Sequence, residues 1–139
     1  MTPFTKAKLG VLTVKNRLVR SATYEGRSTD SGRPTKEYKN MYRTLAENGC
    51  GTIITGFTFV SREGRAIQPL QAGIDSDKLI SVYKEVTDNV HNHGSTIIMQ
   101  LAHCGRQTFR KVTGLPVIGI SKHSAHYFKE KPDDISCKA

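Results

Sequence analysis

Three short stretches carry the side chains best suited to chemistry: Ser21-Ala22-Thr23-Tyr24, Gly56-Phe57-Thr58 and Gln100-Leu101-Ala102-His103. Small and hydroxyl residues let a backbone come close to a flat heteroaromatic ring, and a glutamine amide both donates and accepts at such a ring's edge. A glutamine at a strand end is also an ordinary polar cap, so residue type alone leaves both roles open. His91 and His93 stand two apart and so face different sides of a helix. His123 and His126 have helical spacing but no carboxylate or thiolate placed to complete a ligand set, and no metal is expected. Cys50, Cys104 and Cys137 include no C-x-x-C pair, which points to reduced thiols rather than a disulfide framework or a zinc ribbon. Neither a G-x-G-x-x-G nor a G-x-x-x-x-G-K-[ST] phosphate cradle is present.

Bringing those stretches together requires a scaffold, and the hydrophobic period indicates one. Residues 18–23 are short, apolar and partly β-branched, and lead into a Gly, Ser and Pro-bearing loop over 26–34, which reads as a strand and its connection. Tyr38, Met41, Tyr42, Leu45 and Ala46 then fall on one helical face, with Asn48-Gly49 as the stop. Residues 52–60 form a second strand, apolar on both faces as a buried parallel strand should be. After a polar loop over 61–75, Leu79, Ile80, Tyr83, Val86, Thr87 and Val90 make a second helical stripe, with Asp75 or Ser76 as N-cap and His93-Gly94 as the stop. Residues 96–101 form the third strand. This alternation predicts an α/β fold with right-handed crossovers. In such sheets ligands bind beyond the carboxyl ends of the strands, where all three candidate stretches fall, and their chemistry suits a flavin. From 103 onward the chain reads as a long loop, with a short strand over 117–120 and a helical turn near Tyr127.

At 139 residues and 37% hydrophobic content, one domain is expected. No apolar run nears the ~20 residues that cross a bilayer, and no signal-peptide core stands at the N-terminus, so a cytoplasmic location and no membrane partner are expected. The net charge of +9 suits an anionic partner without choosing one, and the basic residues are scattered rather than clustered.

The motifs themselves go further. The run Leu9-Gly10-Val11-Leu12-Thr13-Val14-Lys15-Asn16-Arg17-Leu18-Val19-Arg20-Ser21-Ala22-Thr23 resembles the opening of Old Yellow Enzyme family members, where a hairpin leads into the first barrel strand. Ile53-Ile54-Thr55-Gly56, Ser61-Arg62-Glu63-Gly64-Arg65 and Gly73-Ile74-Asp75-Ser76-Asp77 resemble the family's second strand and following loop. Gln100-Leu101-Ala102-His103-Cys104-Gly105-Arg106 is similar to its third-strand Q-L-x-H-x-G-R signature.

The resemblance implies a partial (β/α)8 TIM barrel, about the first three βα units with an N-terminal hairpin, all of residues 1–139 forming part of one FMN-binding domain. It implies an FMN-dependent oxidoreductase that takes hydride from NAD(P)H and passes it to an electrophilic alkene or similar small-molecule acceptor. Ser21, Ala22, Thr23 and Tyr24 would line the flavin, Phe57 would approach its ring by backbone, and Gln100 would bond its pyrimidine edge. Tyr24 and Phe57 are larger than the residues common at these positions in the family. His103 and Arg106 would order the loop after the third strand. The family's substrate-binding His pair or His/Asn pair, proton-donating Tyr and phosphate loops match no residue here, so catalytic residues are expected beyond the chain end. The isolated chain is expected to bind FMN weakly or not at all, to lack turnover, and to self-associate or pair with a complementing C-terminal part. Two alternatives stay open: a non-catalytic assembly subunit, and a basic nucleic-acid-binding module.

Overall fold

The structure is a computed structural model that describes residues 2–135. The expected N-terminal hairpin is present: β1 (Ala7–Leu9) and β2 (Leu12–Val14) pair antiparallel around Gly10, which sits at φ +58°. Then come β3 (Val19–Arg20), α1 (Lys36–Glu47), β4 (Thr52–Phe59), α2 (Ile80–His91) and β5 (Thr96–Ala102). The three strands form one parallel sheet in the order β3-β4-β5, with Val19 beside Thr52 and Thr52 beside Thr96. Among the described residues no barrel closes.

Both helices stop where their sequences predict, and the predicted cap Ser76 opens the 3-10 turn that leads into α2. The Thr35 hydroxyl caps α1 by accepting from the Tyr38 N–H, and the Ser76 hydroxyl accepts from Lys78 N–H at the 3-10 turn Asp77–Leu79 that opens α2. Gly49 and Gly94, at φ +90° and +69°, turn the chain away after each. Lys15 ties the two ends together, its ammonium donating to the carbonyls of Ala46 and His93 at 3.0 and 2.9 Å. The helices pack on one face of the sheet, where Tyr38, Tyr42, Ala46, Ile53, Val82, Tyr83, Val86 and Val90 form the core. Tyr38 lies edge-on to both Tyr42 and Tyr83, with ring centroids 4.8 and 6.4 Å away. Among the described residues no helix covers the opposite face, where Val19 is 58% exposed and Ile98 40%.

Two sequence expectations need correction. The first parallel strand is Val19–Arg20 rather than 18–23. The Arg20 guanidinium itself bonds the carbonyls of Ile54 and Ser21, at 3.3 and 3.4 Å, which competes with a longer backbone ladder. The helical turn near Tyr127 is absent; α3 (Arg110–Thr113) forms instead. Phe128 packs on Phe109 at 5.0 Å, and the Glu130 carboxylate accepts from the Arg110 N–H, so this tail is spent capping α3. The expected strand over 117–120 survives as β6 (Ile118–Gly119), paired parallel with an unanticipated β7 (Asp133–Asp134). Cys137 lies outside the described residues.

Candidate functional site

Because the strands are parallel, their carboxyl ends share one edge, and residues 21–24, Phe57 and Gln100 all fall there. Which face each presents follows from the register. Ile97 and Met99 pack toward the helices, so alternation turns Ile98 and Gln100 to the helix-free face, where Gln100 is exposed. A bulge in β4 changes the parity of its strand: Ile54 pairs with Ile98, but the next pair is Phe57 with Gln100, leaving Thr55 and Gly56 opposite Met99. Phe57 is thereby brought onto the face of Gln100. Tyr24 joins it, with ring centroids 5.7 Å apart. Ser21 and Thr23, at two-residue spacing from Val19, are exposed; Ala22, Tyr24 and Phe57 are half-buried.

A bulge frees backbone donors and acceptors, and side chains meet several of them here. The Thr55 hydroxyl accepts from the Gln100 N–H at 3.1 Å. The Gly56 N–H donates to the Glu25 carboxylate at 2.8 Å and to the Tyr42 hydroxyl at 3.2 Å, and that hydroxyl itself donates to Glu25. The Gln71 amide, buried to 1% exposure, donates to the Phe57 carbonyl at 3.1 Å while accepting from the Ala66 N–H. Spacing marks Tyr42 only as a core position of α1, and it marks neither Glu25 nor Gln71. Nothing in spacing links them, since each is joined to the bulge only through tertiary packing.

Burial pushes the Glu25 carboxyl above its ordinary value, against the opposing pull of the Gly56 N–H and the Arg20 charge. Tyr24 beside it, Arg20 on β3, Tyr38 and Tyr42 on α1 and Tyr83 on α2 are titratable groups around it. A carboxyl whose folded value lies above its unfolded one binds its proton more tightly when folded. The stability it lends is complete below the unfolded value and is lost as pH rises through the folded one. The permanently neutral Glu25→Gln variant lacks that loss. Its stability relative to wild type should therefore improve steadily as pH rises from about 4.5 toward neutrality. Urea unfolding of both proteins across that range checks this, and parallel pH profiles would refute it.

His103 and Arg106 hold the loop beyond β5. The His103 ring lies against Gly64, where an added Cβ would stand 2.3 Å from it, and its Nδ1 accepts from the Gly105 N–H. Arg106 donates to the His123 carbonyl at 3.0 Å. Burial pushes the Cys104 thiol up, away from the thiolate form that reacts. Among the described residues no three His, Cys, Asp or Glu side chains gather as a metal site, and no helix is long and apolar enough to cross a membrane.

A parallel sheet with helices on one face, and with small, hydroxyl and amide groups gathered at its carboxyl edge, defines a segment of a (β/α)8 barrel at its ligand-binding end. The chain belongs to the NADH:flavin oxidoreductase / NADH oxidase family, whose model matches residues 3–131. That family uses FMN, with NADH or NADPH as reductant. The chain is 37% identical over 125 residues to an NADPH dehydrogenase of Halalkalibacterium halodurans, covering 88% of this chain and 35% of that protein. It is 34% identical over 106 residues to an N,N-dimethylglycine/sarcosine dehydrogenase of Chromohalobacter salexigens, covering 76% and 15%. Among solved structures, an Old Yellow Enzyme from Pichia sp. AKU4542 superposes with a TM-score of 0.77 at 31% identity, covering 87% of this chain and 32% of that one. Morphinone reductase, at 24% identity and TM-score 0.84, shares the fold over 97% of this chain and 41% of its own. The chain thus spans between about a seventh and two fifths of the length of these proteins.

Proposed function

We propose that residues 2–135 form the first three βα units of an FMN-binding barrel in a cytoplasmic NAD(P)H-dependent oxidoreductase that delivers hydride to an electrophilic alkene or related small molecule. The observation that carries this reading is the β4 bulge, which puts Phe57 in register with Gln100 on the helix-free face beside Tyr24. The groups there fit a flat, polar-edged ring. Gln100 offers a donor and an acceptor on an exposed amide, Ser21 and Thr23 offer exposed hydroxyls, and the Tyr24 hydroxyl is buried with no partner among the described residues. When bound, FMN supplies the two-electron carrier between nicotinamide and acceptor. Within this segment Ser21, Ala22, Thr23 and Tyr24 would border the ring, Phe57 would approach by its backbone, and Gln100 would bond the pyrimidine edge.

By itself the 139-residue chain binds FMN weakly and supports no turnover, because the helix-free face and both sheet edges carry exposed apolar side chains, Val19 and Leu101 at 58% and 62% among them. Such surfaces favour self-association, or pairing with a complementing part that adds further strands. Titrating 15N-labelled chain with FMN should shift the amides of Ser21, Thr23, Tyr24, Phe57 and Gln100 together. Shifts confined to the opposite end of the sheet, or no shift at all, would refute the reading, and flavin-dependent NAD(P)H oxidation by this chain alone would refute its inactivity.

A further inference from the structure

Behind the proposed ring-binding residues stands a second layer that no family motif assigns. We propose that Glu25, with Tyr42, is the positioning residue of this site: its carboxylate fixes the chain after β3 and the bulge of β4 in one relative placement, and so sets Tyr24 against Phe57. The inference rests on the FMN reading for its purpose, but its geometry stands apart from it.

Glu25 directly follows Tyr24, and Gly56 directly precedes Phe57. One carboxylate oxygen accepts from the Gly56 N–H and from the Tyr42 hydroxyl, so three elements meet on one atom. The bulge makes that acceptor necessary, because Gly56 is buried and its N–H is withdrawn from the ladder. A carboxylate is acceptor-only and can take both donors, whereas an amide would bring an N–H2 with its own need for acceptors. No room is left for a substitute: a Cβ on Gly56 would stand 2.2 Å from the second carboxylate oxygen and 2.7 Å from the Thr23 carbonyl. Arg20 flanks the knot, with its guanidinium 5.9 Å from the centre of the Tyr42 ring and bonded to the Ile54 carbonyl. Tyr42 anchors the arrangement to the core, being fully buried on α1.

Amide exchange in the 15N-labelled full chain tests the inference without flavin. Glu25→Ala should accelerate exchange at Gly56 about tenfold to a hundredfold, the loss of one hydrogen bond to a charged group, while leaving Val86 in α2 unchanged. Tyr42→Phe, which keeps the ring and removes only the hydroxyl, should give a smaller acceleration at the same amide and serves if Glu25→Ala fails to fold. Glu25→Gln, which keeps an acceptor oxygen but brings an N–H2 that needs its own acceptors, should recover only part of the protection. With FMN present, Glu25→Ala should lose the shifts at Tyr24 and Phe57 and keep those at Gln100. Unchanged exchange at Gly56 in both Glu25→Ala and Tyr42→Phe, or equal acceleration at Gly56 and Val86, overturns the positioning role. Absence of FMN-dependent shifts in the wild-type chain overturns the flavin reading instead, and the exchange rates still decide whether Glu25 holds the bulge.

Discussion

Phe59→Ala should destabilise the chain by about 3–5 kcal/mol, the cost of removing a fully buried aromatic ring from a site that cannot collapse. Phe59 ends β4 at 1% exposure, clasped between two glycines. An added Cβ would stand 2.5 Å from its ring at Gly32 and 2.2 Å at Gly73, so the backbone already touches the ring on both sides. The same segments are bonded to each other and to the strand: Gly73 N–H donates to the Gly32 carbonyl at 2.9 Å, Phe59 N–H to Ala72 at 3.0 Å, and Ile74 N–H to Phe59 at 2.8 Å. These bonds hold the loop walls apart when the ring is gone, which leaves a cavity rather than a closed gap. Equilibrium urea unfolding followed by circular dichroism measures the loss. A change below about 1 kcal/mol would mean that the two glycine segments close over the space and that Phe59 does not anchor them.

Gly56→Ala should cost about 2–3 kcal/mol and, unlike Phe59→Ala, should act at the edge proposed to bind FMN. Its Cβ meets the Thr23 carbonyl, which is backbone, as well as the Glu25 carboxylate, so relief requires the chain after β3 to move away from β4. That movement pulls the Gly56 N–H from its acceptors and separates Tyr24 from Phe57. The variant should therefore unfold at lower urea and also lose the FMN-dependent shifts at Tyr24 and Phe57, whereas Phe59→Ala at low denaturant should retain them. A Gly56→Ala protein with wild-type stability would show that the knot around Glu25 is loose.

Much of this architecture is legible in the residues themselves. The helical stripe from Tyr38 to Ala46 and the one from Leu79 to Val90 became α1 and α2, because an amphipathic period of 3.6 has one way to bury its apolar side. The β-branched runs at Thr52 and Thr96 became neighbouring parallel strands for the same kind of reason: strands apolar on both faces need cover that crossover helices give. The motifs around Arg20-Ser21, Gly56 and Gln100 pointed to the family to which the chain belongs. Periodicity failed where local signals compete with distant partners. Residues 21–23 left the sheet because Arg20 takes the neighbouring carbonyls and Glu25 draws the chain to Gly56, and Tyr127 formed no helical turn because Phe128 and Glu130 are committed to α3.

Sequence by itself determined the two long amphipathic helices, the β-branched strands at Thr52 and Thr96 and the residue types at their carboxyl ends, since these depend on spacing along one chain. Only the tertiary structure decided that β4 carries a bulge, that Phe57 therefore faces with Gln100, and that Glu25, Tyr42 and Gln71 satisfy the groups this bulge exposes. The physical reason is that a buried backbone N–H must find an acceptor, but nothing in its own neighbourhood of the sequence says which distant side chain will provide it.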